Sequence, residues 1–90
     1  MKIKKLATAG TLESSDALVT LEPADTLEIV LESSVIETFE HELLKCIRDT
    51  MANLGVTGAR ISVQDKGAFD CTIAARLETA VIRAIEGEKA

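Results

Sequence analysis

TLEIVLE at residues 26–32 places Leu27, Ile29 and Leu31 on one side of an extended chain and Glu28, Val30 and Glu32 on the other. A period of two is the mark of a strand with one buried face. Directly after it the period changes. Ile36, Phe39, Leu43, Leu44, Ile47, Met51 and Leu54 recur mainly at steps of three and four, the apolar stripe of an amphipathic helix. Ser34 and Glu37 have capping-box spacing, and Gly55 suits the left-handed corner that ends a helix, so a helix is predicted over 34–54. This switch from two to 3.6 makes the fold mixed.

Working back from it, residues 22–25 contain Pro23, which cannot donate to a strand ladder and marks a turn. Ahead of that turn, Ala17, Val19 and Leu21 alternate with Leu18, Thr20 and Glu22. Residues 6–12 supply the other arm of a hairpin, and the small and polar AGTLESSD at 9–16 is its tip. Forward of the first helix, Ala59, Ile61 and Val63 alternate with Arg60, Ser62 and Gln64 over 58–65, and Asp65, Lys66 and Gly67 read as a turn. Ile73, Leu77, Val81 and Ala84 or Ile85 then predict a second helix near 69–86, with Asp70 at its positive end and Gly87 closing it. The order is β-β-β-α-β-α: an α+β fold, a four-stranded sheet with two helices packed on one face. Its open face is expected to show Leu18, Thr20 and Val30.

Ninety residues make one domain, 1–90, and 47% apolar content argues for a packed core. With Phe39 and Phe69 as the only aromatics, that core is aliphatic. Ten basic against fifteen acidic side chains leave a net charge of −5, which disfavours nucleic acid, where phosphates need clustered cations and bases need aromatic platforms. The lysine-bearing start lacks the sustained apolar run of a signal peptide, and no stretch has the length of a membrane span. A cytoplasmic, soluble domain is expected.

Little in the chain suggests catalysis. Cys46 and Cys71 lie 25 positions apart with no C-x-x-C motif, too few ligands for a metal, and both read as packing residues. His41, the single histidine, falls among acidic neighbours on the polar side of its helix. Ser14 therefore has no histidine base within its own segment, and Glu13 and Asp16 read as solvated carboxylates, weak bases beside a turn. Arg76 and Arg83, seven apart on the second helix, read as a solvated face or as ligands for phosphates or a partner's acids.

AGTLESSD at 9–16, followed by DKGAFDC at 65–71, resembles the acyl carrier (gamma) subunit of citrate lyase, and the resemblance runs over almost the whole chain. It implies that the serine of the E-S-x-D element, Ser14 after Glu13 and before Asp16, bears 2'-(5''-phosphoribosyl)-3'-dephospho-coenzyme A through a phosphodiester. A separate prosthetic-group transferase would load it. The domain itself would be a non-catalytic subunit in citrate fermentation, carrying acetyl and citryl thioesters between the transferase (alpha) and lyase (beta) subunits. The carrier subunit of malonate decarboxylase, with the same kind of arm, is the second reading; an interaction module without any prosthetic group is the third. Of the two neighbouring hydroxyls, the resemblance implies Ser14 rather than Ser15, because Ser14 follows Glu13 in the E-S-x-D pattern; adjacent residues of an extended arm face opposite ways, so the two are not expected to be interchangeable.

Overall fold

The computed structural model of the chain describes residues 1–33 and 40–89. Four strands, β1 (Ala7–Gly10), β2 (Ala17–Glu22), β3 (Leu27–Ser33) and β4 (Ala59–Asp65), and two helices, α1 (Glu40–Asn53) and α2 (Asp70–Lys89), follow in the order β-β-β-α-β-α. The sheet order is β1-β2-β4-β3. β2 runs antiparallel to both β1 and β4, whereas β3 and β4 are parallel and joined through α1. The fold is α+β, as the change of period requires.

Alternation decides which face is buried. Ala17, Val19 and Leu21 on β2 and Ala59, Ile61 and Val63 on β4 are all at most 1% exposed, and they pack against Ile47 and Met51 of α1 and Ile73 and Leu77 of α2. Apart from the two alanines, each such side chain taken out of water contributes on the order of 1.5–3 kcal/mol before chain entropy is charged against it. On the opposite face Leu18 and Thr20 are half-buried and Val30 is exposed. Small residues line the β1 edge of the core, Ala7 and Ala9, so α2 lies close over that strand.

The strand ends have local causes. β1 stops at Gly10 rather than running to residue 12, because Gly10 takes φ 92° and leaves the extended region. α1 ends in a Schellman motif: Gly55 N–H donates to Ala52 C=O and Val56 N–H to Met51 C=O, both at 3.0 Å, with Val56 and Met51 buried together. Ser34, Ile36, Glu37 and Phe39, which carried the expected start of this helix, lie outside the described residues. At the other terminus Gly87 does not close α2, whose backbone stays helical through it to Lys89. A single glycine costs a helix only about 1 kcal/mol, and without a competing turn it does not stop one.

Candidate functional site

The loop between β1 and β2, residues 11–16, is a turn on a bulge. Asp16 N–H donates to Glu13 C=O at 3.2 Å, closing a four-residue turn with Ser14 and Ser15 at its corners. Ser15 has φ 65° while Ser14 does not enter the positive region, the φ signature of a type II turn. Facing it, Ser15 N–H donates to Lys66 C=O at 2.8 Å and Lys66 N–H donates to Asp16 C=O at 2.9 Å. Two residues, Ser15 and Asp16, thus oppose one, Lys66, with the first of the pair left-handed. This is the pattern of a G1-type β-bulge, in which the left-handed position is normally glycine. The hairpin tip is therefore stitched to the β4–α2 turn.

Asp16 holds the tip from a second direction. Its Oδ1 accepts from Ala17 N–H at 2.7 Å and Arg76 Nε at 3.0 Å; its Oδ2 accepts from Thr11 Oγ1 at 2.7 Å and Arg76 Nη2 at 3.1 Å. The Arg76 hydrogen bonds, with those from Thr11 and Ala17, bring the carboxyl down from its ordinary 3.8 to about 2. Asp16 is thus not the solvated carboxylate expected of it. Its side chain is only 14% exposed, and with both oxygens engaged twice it has little basicity and no vacancy for a cation. Arg83 is likewise committed, donating to Thr8 C=O at 2.8 Å, so both α2 arginines reach back to the first hairpin.

Against this anchored background Ser14 stands apart. It is exposed, and its hydroxyl makes no hydrogen bond to the described residues. Ser15 is exposed as well, and its hydroxyl likewise makes no hydrogen bond to the described residues, but its backbone is the pinned, left-handed member of the bulge. The expected reason for telling the two apart, opposite faces of an extended arm, does not apply, because neither residue lies in a strand. What separates them is turn position: Ser14 is the outward corner and Ser15 the strained one.

Other side chains with reactive potential are placed elsewhere. Cys71 is exposed on the first turn of α2 rather than packed in the core, and Cys46 is half-buried, its thiol pushed up by burial. His41 is exposed on α1. A cavity of about 640 Å³ opens between the starts of α1 and α2, lined among others by Leu43, Ala68 and Phe69 with the carboxylates of Glu42, Asp65 and Asp70. Among the described residues its lining has no histidine, lysine or arginine, and Ser14 does not line it. Among the described residues no three His, Cys, Asp or Glu are grouped to hold a metal ion, and no helix is long and apolar enough to cross a membrane.

The model of the malonate decarboxylase delta subunit (MdcD) family matches residues 4–84. A citrate lyase acyl carrier protein of Haemophilus influenzae (strain PittEE) is 48% identical over 86 residues, covering 96% of this chain and 90% of its own. Another, of Rhodopseudomonas palustris (strain BisA53), is 52% identical over 87 residues with the same coverage, 96% and 90%. The chain belongs to the citrate lyase acyl carrier protein family. In the crystal structure of a Pseudomonas malonate decarboxylase hetero-tetramer in complex with malonate, one chain superposes with a TM-score of 0.81 at 22% identity, covering 93% of this chain and 88% of that one. At that identity the likeness is one of fold, and the citrate lyase acyl carrier fold is thus shared with a malonate decarboxylase chain.

Proposed function

We propose that the chain is the acyl carrier subunit of citrate lyase, modified on Ser14. One observation carries the reading: an anchored hairpin tip presents, at the corner of its turn, an exposed hydroxyl with no hydrogen bond to the described residues. Such a hydroxyl fits covalent attachment and does not fit catalysis. Among the described residues no side chain hydrogen-bonds it as a base would, and the neighbouring Asp16 is spent on Arg76, Thr11 and Ala17. Flanking by Thr11, Glu13 and Ser15 lets the tip enter another protein's cleft without exposing bulk apolar surface beyond Leu12.

The group that fits is 2'-(5''-phosphoribosyl)-3'-dephospho-coenzyme A, joined to Ser14 Oγ as a phosphodiester. When bound, it supplies a thiol on a long flexible arm, which carries acyl groups as thioesters. The chain's own part is to hold that arm at one end and to bring it to partner active sites, here the transferase (alpha) and lyase (beta) subunits. Tethering makes each of those encounters effectively intramolecular. A prosthetic-group transferase must load the arm. Arrangement as a non-catalytic subunit of a cytoplasmic complex, built on one domain of residues 1–90, follows from the same reading.

Intact mass and peptide mapping of protein co-produced with its transferase test the assignment. Ser14→Ala is expected to lose the added mass completely, while Ser15→Ala keeps most of it. Mass found on Ser15, with Ser14→Ala still loaded, would overturn it. The malonate decarboxylase carrier is the second reading, favoured by the matching family model and the superposed chain. Reconstitution with each system's large subunits, assayed on citrate and on malonate, separates the two, and activity on citrate is the expected result.

A further inference from the structure

We infer that Arg76 is a positioning residue for loading of the carrier: from α2, without touching the acceptor, it sets the hairpin tip so that Ser14 is presented in one conformation. This inference rests on Ser14 being the acceptor. Arg76 is 60 positions from Asp16 in the chain, yet its guanidinium meets both carboxylate oxygens in a two-pronged grip, the geometry for which arginine is suited and lysine is not. The same carboxylate takes the Thr11 hydroxyl, so one side chain clamps the two ends of the 11–16 loop together and fastens both to the helix. Thr11 Oγ1 in turn accepts from Glu13 N–H at 3.2 Å.

The stem of Arg76 is built into the hairpin as well. A Cβ placed on Gly10 would lie 3.2 Å from Arg76 Cδ and 1.8 Å from Ala17 C=O, so the arginine runs beneath a strand end that has room only for glycine. Thr11 and Asp16 are held in the clasp by their side chains and Glu13 and Ser15 by their backbones, so Ser14 stands between two residues whose backbones are fixed.

Loading is a substitution at phosphorus. The Ser14 oxygen forms the new O–P bond to the 5''-phosphorus of a phosphoanhydride donor, the anhydride P–O bond at that phosphorus breaks and the phosphate chain beyond it leaves with the electron pair, and the serine proton passes to a base of the transferase. A tip already in the required shape spares the transferase the work of ordering it. Where only a fraction of tips is competent, apparent affinity falls by that fraction.

The test measures transfer kinetics with the full chain, purified transferase and the phosphoanhydride form of the arm. Arg76→Gln is expected to lower kcat/KM about 10-fold, chiefly through KM, with kcat at saturating carrier largely kept. Arg76→Lys, which meets one oxygen at a time, is expected to recover part of the loss. Asp16→Asn combined with Arg76→Gln should be no slower than either alone, because both break one clasp. Val81→Ala, in the core on the same helix, serves as a control for general destabilisation and should load with the native KM. Native kcat/KM in Arg76→Gln, with Ser14→Ala unloaded, would overturn the positioning role and leave the Ser14 assignment standing. An equal loss in Val81→Ala would also overturn it, reducing the effect to stability. Arm mapped to another residue in Ser14→Ala would overturn both.

Discussion

Asp16 and Asp65 lie at the same end of neighbouring strands, since Ala17 is the register partner of Asp65, yet they are used in different ways. Asp65 is 2% exposed and works inward: its Oδ1 accepts from Gly67 N–H and Ala68 N–H at 3.1 and 2.8 Å, shaping the β4–α2 turn, while Oδ2 accepts from Ser33 Oγ at 2.9 Å. Asp16 works across: its partners come from the loop itself and from a helix 60 positions away. Amides two and three positions on bond the Asp65 carboxylate through local chain geometry, so much of the turn at 65–68 is shaped by its own segment, with Ser33 and the hairpin tip adding contacts from outside it. The hairpin tip is instead held by tertiary structure, and its shape depends on α2 being docked. A purely structural turn needs only the first arrangement. The second ties the presentation of one exposed hydroxyl to the integrity of the whole domain.

The largest expected effect falls on the hinge of the tertiary arrangement. Gly10→Ala forces a Cβ to 1.8 Å from Ala17 C=O at φ 92°, and neither the backbone oxygen nor the ladder to β2 gives way cheaply. We expect a loss of about 2–4 kcal/mol in unfolding free energy, from a clash and a disfavoured dihedral together. Urea unfolding measures it. Faster amide exchange at Ser15 should accompany it, because the Arg76 stem is displaced with the strand. A midpoint indistinguishable from the parent would show that the tip relaxes freely and that its anchoring is not tertiary.

Those two aspartates also mark where the sequence is legible and where it is not. Strands and helices are readable because burial repeats along the chain: β2 and β4 bury alternate residues as read, and Leu43, Ile47 and Met51 follow the helical stripe. Asp65 was within reach of the same logic, as it continues the inward series Ala59, Ile61, Val63, but a charged residue beside a turn reads as exposed. Nothing local announces the Asp16–Arg76 pair. It joins segments 60 positions apart and depends on how β1, β2 and α2 stack. The motif at 9–16 identified the loop, whereas the bulge escaped notice because its left-handed position is Ser15 rather than glycine. Cys71 and Gly87 fail for a simpler reason: residue type alone says neither which side of a helix faces out nor whether a glycine meets a competing turn.

Acid sharpens the contrast from another side. A carboxyl held near 2 in the folded chain and near 3.8 when unfolded contributes stability that is fully present above 3.8 and is lost as pH falls through about 2. Between pH 8 and 4 the clasp is therefore expected to stay charged and intact, and loading on Ser14 should owe none of its pH dependence to Asp16. The carboxyl carbon shift of Asp16, followed by NMR, should titrate near 2 in the parent. In Arg76→Gln, which removes the first and largest cause of the lowering, it should move back toward 3.8. An Asp16 shift that titrates near 4 in the parent would mean the clasp is open in solution.

The smallest effect separates the two left-handed corners, Ser15 in the tip and Gly67 in the neighbouring turn. Gly67 has φ 89° and open space where a Cβ would go, so Gly67→Ala meets only the backbone penalty and should cost about 1 kcal/mol. At Ser15 the penalty is already present, because a side chain occupies φ 65° in a bulge position that glycine normally fills. Removing it in Ser15→Gly relieves about 1–2 kcal/mol of left-handed strain and adds back about 0.5–1 kcal/mol of glycine entropy, for a net gain of about 0.5–1 kcal/mol. In a domain of this size that is a rise of roughly 2–8 °C in Tm. Thermal unfolding of the two variants should thus move in opposite directions, Gly67→Ala down and Ser15→Gly up, while Ser14 in both remains open to loading. A lower Tm for Ser15→Gly would show that the Ser15 side chain stabilises its own corner. In that case the strain assigned to the tip would be absent, and the difference between the two turns would lie in their anchoring alone.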